Sequence, residues 1–482
     1  VTDGDGAPLG WSELGRRSAR AALQLTVRGL VVRGLIFLGT LALARILLPT
    51  DFGVYAIVSF VVSIWASFGD FGLGAALVQQ RDEPSNAQLQ TVWTAQQAIA
   101  IAAVAVIWVA APVLTGLLPD LPGDAPWMLR VLSLGLLFSS LRSLPSVMME
   151  RALRFGPLAA AEIAQQAVYY CLAIPLAVAG FRAWSFVIAG VAQLAVGAVV
   201  VNLAWRRRPS IGLDRTTLRR SLGFGLSYQL GVALTLLRDT PVPVMAGAVL
   251  GAASAGVLQF AMRIALTIAS IDEIIGRVAF PAFSRLQGRK AEQGRALAAA
   301  TTLTALVVVP VQCSLAAFAP VLVPALFGPQ WTAGVVPVQI FCVATLFRFP
   351  TRYLRQTIFA EGATGPGVGA AGLIVEGLPG AAIAFLVGAG TGLVATAWLA
   401  RRWAKPDWRP YLRIVVAGLT AGGSSLTALH LAGGGLLGAA GAAALFAAVF
   451  SGLVWSTDRD VVRLGWRLAS TAIGRSAAAS RG

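Results

Sequence analysis

The sequence predicts an all-α integral membrane protein of about fourteen transmembrane helices, within a range of twelve to fourteen. They are arranged as two six-helix lobes in pseudo-twofold repeat plus a C-terminal helix pair. Three observations carry the prediction. Of 482 residues, 57% are hydrophobic and only 12% are charged, whereas an ordinary soluble domain is roughly one quarter charged. Apolar runs recur along nearly the whole chain, each long enough for the roughly 20 residues a bilayer crossing needs, and no connection is long enough to be a domain. Weak self-similarity also recurs at an offset of about 205 residues.

Taken in order, the spans fall at about 24–48, 53–78, 91–116, 127–148, 157–178, 184–204, 222–247, 255–276, 297–319, 332–355, 366–400, 411–431 and 435–455. The first follows a polar stretch in which Asp3, Asp5 and Glu13 precede Arg16, Arg17 and Arg20. Its apolar run is too long for a cleaved signal and reads as a retained span. The organisation expected is an N-terminal lobe with its cytoplasmic tail at 1–204, a basic inter-lobe linker at 205–221, a C-terminal lobe at 222–400, and an extra helix pair with a cytoplasmic tail at 401–482.

Charge assigns the sides. One alternating set of connections holds 31 of the 38 basic residues, and the opposite set holds only Arg182. Cytoplasmic loops gather Lys and Arg, so both termini are expected in the cytoplasm. Basic segments flank both ends of 366–400, so that stretch must cross an even number of times. A tight pair of short segments broken around Gly377-Leu378-Pro379-Gly380 satisfies this. The net charge of +17 therefore reads as topology rather than nucleic-acid binding. Arginine outnumbers lysine 36 to 2, and alanine and glycine abound, a composition typical of a GC-rich bacterial genome.

The repeat rests on four matches. Gly53-Val54 corresponds to Gly256-Val257, Trp127 to Trp331, Arg142 with Pro145 to Arg348 with Pro350, and Val113-Leu114-x-x-x-Leu118 to Val321-Leu322-x-x-x-Leu326. Six spans per unit gives halves of parallel topology, related by an axis along the membrane normal and facing one cleft, as in transporters built from two bundles.

Enzyme signatures are missing. There is no phosphate-binding Gly-rich Lys-Ser/Thr loop, the single His430 has no metal-binding neighbour, and Cys171, Cys313 and Cys342 match no disulfide or metal spacing. Charge inside spans is more telling, because a guanidinium in hydrocarbon persists only facing a wet cavity, a partner or an interface. Arg33, Arg45, Arg130, Arg142, Arg238 and Arg263 lie in apolar runs. Arg33 is near mid-depth. Arg238-Asp239 precedes Thr240-Pro241-Val242-Pro243, where two prolines break the helix and free carbonyls. Arg263 shares a helical face with Gln259, Thr267 and Ser270, and the corresponding second span aligns Ser59, Ser63, Ser67 and Asp70. The fifth span aligns Glu162, Gln165, Gln166 and Tyr169. For the hydroxyl stripes, interhelical hydrogen bonding competes with a functional reading. For Arg142 and Arg348, near cytoplasmic ends, snorkelling to headgroups competes with guiding an anionic substrate. Arg45 and Arg130 read as interface anchors, and Arg206-Arg207-Arg208 with Arg215, Arg219 and Arg220 as a headgroup anchor.

The run Ala44-Arg45-Ile46-Leu47-Leu48-Pro49-Thr50-Asp51-Phe52-Gly53-Val54-Tyr55-Ala56, followed by Phe68-Gly69-Asp70-Phe71-Gly72-Leu73-Gly74, resembles the opening of the polysaccharide transporter family of the multidrug/oligosaccharidyl-lipid/polysaccharide exporter superfamily. Glu150-Arg151-Ala152-Leu153-Arg154-Phe155 and Phe280-Pro281-Ala282-Phe283-Ser284-Arg285-Leu286 are similar to its inner loops. The likeness covers about residues 25–360. It implies a flippase for undecaprenyl-pyrophosphate-linked oligosaccharides in the bacterial cytoplasmic membrane, working by alternating access with an ion gradient or the membrane potential as the drive. Two departures stand out: the second-half motif reads Gly256-Val257-Leu258-Gln259 without the Tyr, and 366–400 is short for two full spans.

The expected function is therefore transport, not catalysis, of lipid-linked repeat units for exopolysaccharide, capsule or O-antigen. Arg33, Arg238 and Arg263, with Arg142 and Arg348, are expected to form the cationic path, since planar guanidinium donors bind phosphate oxygens in pairs. Asp70, Asp239 and Glu162 are the expected counter-charges or coupling groups. No cofactor, metal or nucleic acid is expected. The expected partners are the lipid-linked substrate, membrane lipids, and a polymerase and glycosyltransferases of the same pathway. The alternatives are a multidrug exporter of the same superfamily, which would favour acidic, aromatic cavities, and a peptidoglycan lipid-precursor flippase. A polytopic glycosyltransferase or polymerase would need a large outer loop that this chain lacks.

Overall fold

The computed structural model describes residues 29, 32–68, 83–117, 121–152, 154–205, 211–215, 217, 218, 250–269, 283, 286, 288–360, 390, 393, 394, 396–398, 406–432 and 436–457, and every regular element among them is helical. Nine segments among the described residues are long and apolar enough to cross a membrane. The chain is a multi-pass membrane protein that divides into two compact units. The spans expected at 222–247 and over most of 366–400 lie outside the described residues.

The first unit holds α1 (32–46), α2 (Pro49–Phe68), α3 (Asn86–Gly116), α4 (Ala125–Ser133), α5 (Gly135–Arg151), α6 (Phe155–Val178) and α7 (Ala183–Trp205). Helix α2 starts four residues before the expected 53 because its first turn is built as a start signal. Pro49 opens it with a preset φ and no N–H to satisfy. Asp51 reaches back, its Oδ2 accepting the Leu48 N–H at 3.1 Å, and places a carboxylate at the positive end of the helix. Its other oxygen meets Arg182 Nε at 3.3 Å. Phe52 and Tyr55 of the same motif both pack on Phe186 of α7, at ring separations of 4.8 and 5.0 Å. Helix α3 likewise begins at 86 rather than 91. A reciprocal cap, Gln88 N–H to Ser85 Oγ and Ser85 N–H to Gln88 Oε1, makes its polar first turn helical.

Burial on α3 shows what surrounds the unit. Leu89, Val92, Gln96, Ala100, Ala103, Ile107, Ala111 and Thr115 form the inward stripe, at helical spacing and mostly small or polar. Ile101, Val109 and Val113 point outward, the last two 81% and 65% exposed. Large apolar side chains outside and amides inside is the pattern expected of a helix solvated by lipid.

The second unit holds nearly all of α8 (Ala252–Ala269), with α9 (Lys290–Phe327), a 3-10 turn (Pro329–Gly334), α10 (Val335–Ala360), α11 (Arg409–Leu431) and α12 (Leu436–Thr457). The 38 residues of α9 span about 57 Å, well beyond the expected 297–319 and beyond the hydrocarbon thickness. The helix stops at Gly328, whose φ of 109° only glycine adopts freely. Tyr411 ties the C-terminal pair to this unit: its hydroxyl donates to Leu346 O at 2.7 Å, and its ring packs on Phe349.

The repeat is visible in element boundaries. Pro49, Asn86 and Ala125 start elements in the first half, and Ala252, Lys290 and Pro329 start their counterparts in the second. The span expected at 127–148 is two helices joined at Leu134, and its counterpart is also broken, as a 3-10 turn followed by α10.

Candidate functional site

Helix α6 organises the polar interior of the first unit. Its Gln165 is buried, and the Gln165 Oε1 accepts from Arg142 Nη1 of α5 at 2.8 Å. The amide sits where α7 has Gly197, and a Cβ there would overlap the Gln165 side chain. One turn along, the Tyr170 hydroxyl donates to Ile36 O at 3.2 Å and lies 3.3 Å from Thr40 Oγ1, with its ring over Gly39. These contacts fix α1, which carries Arg33, against α6. Glu162 and Gln166 lie half-buried on the same polar side of α6.

Between α3 and α5 the polar network continues. Ser140 Oγ donates to Gln97 Oε1 at 2.8 Å and Gln96 Nε2 to Ser143 Oγ at 3.2 Å. Gln96, Ser139, Ser140 and Ser143, with Trp65 of α2, line a cavity of about 70 Å³. That is space for roughly two waters with polar partners at hand. Asn202 of α7 closes the group by donating to Leu141 O and Ala198 O.

Of the residues singled out by sequence, Arg33, Arg142 and Glu162 lie in the first unit, and each is half-buried. Arg263, mid-way along α8, and Arg348 of α10 are half-buried in the second. Arg238, Asp239 and Asp70 lie outside the described residues, as do Ser270 and the side chain of Arg355. Arg142 and the Gln165 stripe are expected features that the structure brings into contact. The hydroxyl stripe of the second span bonds within its own helix: Ser59 to Ala56 O, Ser63 to Phe60 O and Ser67 to Ser63 O. Thr267 does the same to Arg263 O. Arg45 is exposed, and Arg130 lies 4.7 Å over the Trp127 ring while exchanging hydrogen bonds with the Trp108 backbone and indole. Both arrangements fit interface anchors.

The Gln96–Ser143 and Gln97–Ser140 pairs were missed, although Ser139, Ser143 and Ser146 share a helical face at spacings of four and three residues. So was the pair of ties outside the interior, Asp51 to Arg182 and the Trp184 indole to Asp124. Arg182 also has a φ of 49°, unusual for a side-chain-bearing residue.

Comparison with known proteins adds the following. A family model described as "Polysaccharide biosynthesis protein" matches residues 42–336, more than half of the chain. The teichuronic acid biosynthesis protein TuaB of Bacillus subtilis (strain 168) is 23% identical over 300 residues, 61% of this chain and 61% of that protein. The succinoglycan biosynthesis transport protein ExoT of Rhizobium meliloti (strain 1021) is 29% identical over 297 residues, 60% of this chain and 58% of that protein. The chain thus matches about three fifths of the length of these relatives. Among solved structures, the lipid II flippase MurJ in an inward closed conformation is similar in fold, with a TM-score of 0.72 and 12% identity. The match covers 92% of this chain and 100% of that one.

Proposed function

The chain belongs to the polysaccharide biosynthesis protein family, and from that premise we propose that it flips undecaprenyl-pyrophosphate-linked oligosaccharide units from the inner to the outer leaflet. The observation that carries the reading is a half-buried guanidinium, Arg142, held by a buried amide inside a unit whose large apolar side chains face outward. Such a group has a use at that depth when an anion passes it. A pyrophosphate offers paired oxygens that match the planar guanidinium fork. The likeness to a succinoglycan biosynthesis transport protein supports transport as the activity.

In this reading Arg33, Arg142, Arg263 and Arg348 contact the pyrophosphate at successive stages of passage, with Arg238 as a further contact. Glu162, Asp70 and Asp239 supply counter-charge and couple movement to a sodium or proton gradient or to the membrane potential. The chain works in the bacterial cytoplasmic membrane with both termini cytoplasmic, as its basic connections favour. It hands its cargo to a polymerase and receives it from glycosyltransferases. The test is deletion in the native host with quantification of lipid-linked oligosaccharide. Accumulation on the cytoplasmic side, with loss of the surface polymer and rescue by the intact chain, is expected. Unchanged polymer without accumulation overturns the reading.

A further inference from the structure

We propose that Asn202 of α7 and Tyr411 of α11 are positioning residues for Arg142 and Arg348: each holds, from a neighbouring helix, a backbone carbonyl that a proline has released beside that arginine. A proline inside a helix has no N–H for the carbonyl four residues earlier, and its ring presses that carbonyl outward. Pro145 of α5 releases Leu141 O in this way, and Pro350 of α10 releases Leu346 O. Asn202 Nδ2 donates to Leu141 O at 3.1 Å, and the Tyr411 hydroxyl donates to Leu346 O at 2.7 Å. Arg142 follows the first carbonyl directly, and Arg348 stands two residues after the second.

The pattern extends to a second pair of prolines that the internal repeat matches. Pro112 of α3 and Pro320 of α9 correspond, as Pro145 and Pro350 do. Pro112 frees Trp108 O, which accepts from Arg130 Nε of α4 at 3.1 Å, and Pro320 frees Ala316 O, which accepts from Gln339 Nε2 of α10 at 2.9 Å. All four freed carbonyls thus meet a side chain of another helix. In a helix solvated by lipid, a donor on a packed neighbour is the partner at hand for such a carbonyl. The donors differ in kind, being two amides, a phenol and a guanidinium, so the released carbonyl is what the four sites share.

Both holders are themselves fixed. Asn202 Nδ2 also donates to Ala198 O of its own helix at 2.8 Å, so the amide cannot turn over without setting its oxygen against two carbonyls. Tyr411 is 3% exposed, and its ring packs edge-on against Phe349, the residue between Arg348 and Pro350, at 5.8 Å. A helix that has lost one internal bond bends more readily at that point. A bond from a second helix replaces the missing one and braces α5 on α7 and α10 on α11. The arginine beside each brace is held with it, and in the second unit the C-terminal helix pair supplies the brace. The role of the braces in transport rests on the flippase reading; the braces themselves do not.

The test follows amide hydrogen exchange of the full chain in lipid nanodiscs and, in parallel, polymer export in cells. Asn202→Leu should speed exchange over residues 141–149 of α5 roughly fivefold and leave 346–354 of α10 unchanged, and Tyr411→Phe should do the reverse. Each should lower export by roughly threefold. Pro145→Ala restores an N–H to Leu141 O, so it should return the Asn202→Leu chain to slow exchange and most of its export while doing nothing for Tyr411→Phe. Pro350→Ala should rescue Tyr411→Phe alone. Exchange that is unchanged in both variants, that rises equally in both helices, or that the matching proline replacement fails to restore overturns the proposal. Local exchange changes with undiminished export overturn the positioning role and leave the flippase reading standing. A deletion without effect on polymer overturns that reading instead, while the exchange rescue still supports or refutes the braces.

Discussion

Arg142 donates from Nη1 to Gln165 Oε1 across 2.8 Å, and Gly197 on a third helix leaves the space in which that amide sits. Three helices thereby hold one arm of a guanidinium in a set direction. A flexible cation would lose side-chain entropy on meeting an anion; a held one has already lost much of it. Such a held guanidinium suits the binding role proposed for Arg142.

Arg142→Ala should lower export of polymer by at least about tenfold, since a charge-assisted hydrogen bond to phosphate contributes more than a neutral one. Arg142→Lys keeps the charge but not the fork and should fall between. Gln165→Leu removes only the holder and should reduce export by roughly threefold. Because the two residues act as a unit, Gln165→Leu in the Arg142→Ala background should add almost nothing. Precursor accumulation in cells, normalised to membrane protein level, measures all four. Independent, multiplying effects would show that the pair does not work together.

Gly39 and Tyr170 make a second forced contact, because any Cβ at position 39 would overlap the Tyr170 ring. Gly39→Ala should destabilise the protein by about 1–3 kcal/mol, the usual cost of overpacking. Gly39→Ala with Tyr170→Ala should recover part of that loss, although the hydroxyl bonds to Ile36 and Thr40 are gone. Thermal midpoints of the purified variants test the coupling. Equal loss in the single and double variants would mean that α1 is held elsewhere.

The Asp51–Arg182 pair separates two kinds of contribution. The Arg182 side chain is 67% exposed and that of Asp51 only 8%, so the ionic part is largely screened and Arg182→Ala should cost under about 1 kcal/mol. Asp51→Ala also strands the Leu48 N–H at the start of α2 and should cost about 1–2 kcal/mol. Arg182→Gly relieves a φ of 49° and should come close to the parent stability, because glycine adopts that region freely. Denaturation midpoints of the three variants rank the terms. If Arg182→Ala proved the most damaging of them, the ionic contact would be the dominant one.

Much of this was legible in the sequence, and the parts that were not share a cause. Composition and span periodicity yield the helical membrane fold, because burial of backbone polar groups in lipid leaves few alternatives. Start signals shift the boundaries: Pro49 with Asp51 and Ser85 with Gln88 begin helices several residues before hydropathy rises. Arg142 and the stripe containing Gln165 were each visible, but their pairing depends on how α5 and α6 pack, which one-dimensional spacing does not encode. Ser59, Ser63 and Ser67 share a face as expected, yet bond to their own helix, a choice that local geometry always offers to hydroxyls. Arg238, Asp239 and Asp70 lie outside the described residues, and the arginines of the expected path that the structure describes, Arg33, Arg142, Arg263 and Arg348, stand on α1, α5, α8 and α10.

Trp127 and Trp331 test how far the internal repeat extends from backbone to environment. Each is the third residue of the short element that opens the broken fourth span of its half. Trp127 is 56% exposed, its ring under Arg130. Trp331 is fully buried, stacked on Phe260 at 4.0 Å, and Phe260 in turn packs edge-on against Phe327. Trp331→Ala should therefore open a cavity and destabilise by about 3 kcal/mol or more; in lipid that loss is chiefly lost packing contact rather than transfer from water. Trp127→Ala should cost less than about 1 kcal/mol and instead loosen anchoring at the interface. Thermal midpoints and tryptophan quenching by brominated lipid read the two effects separately: Trp127 should be quenched and Trp331 shielded. Equal destabilisation by the two substitutions, or strong quenching of Trp331, would mean that sequence equivalence had been matched by equivalent surroundings, contrary to the packing around Phe260.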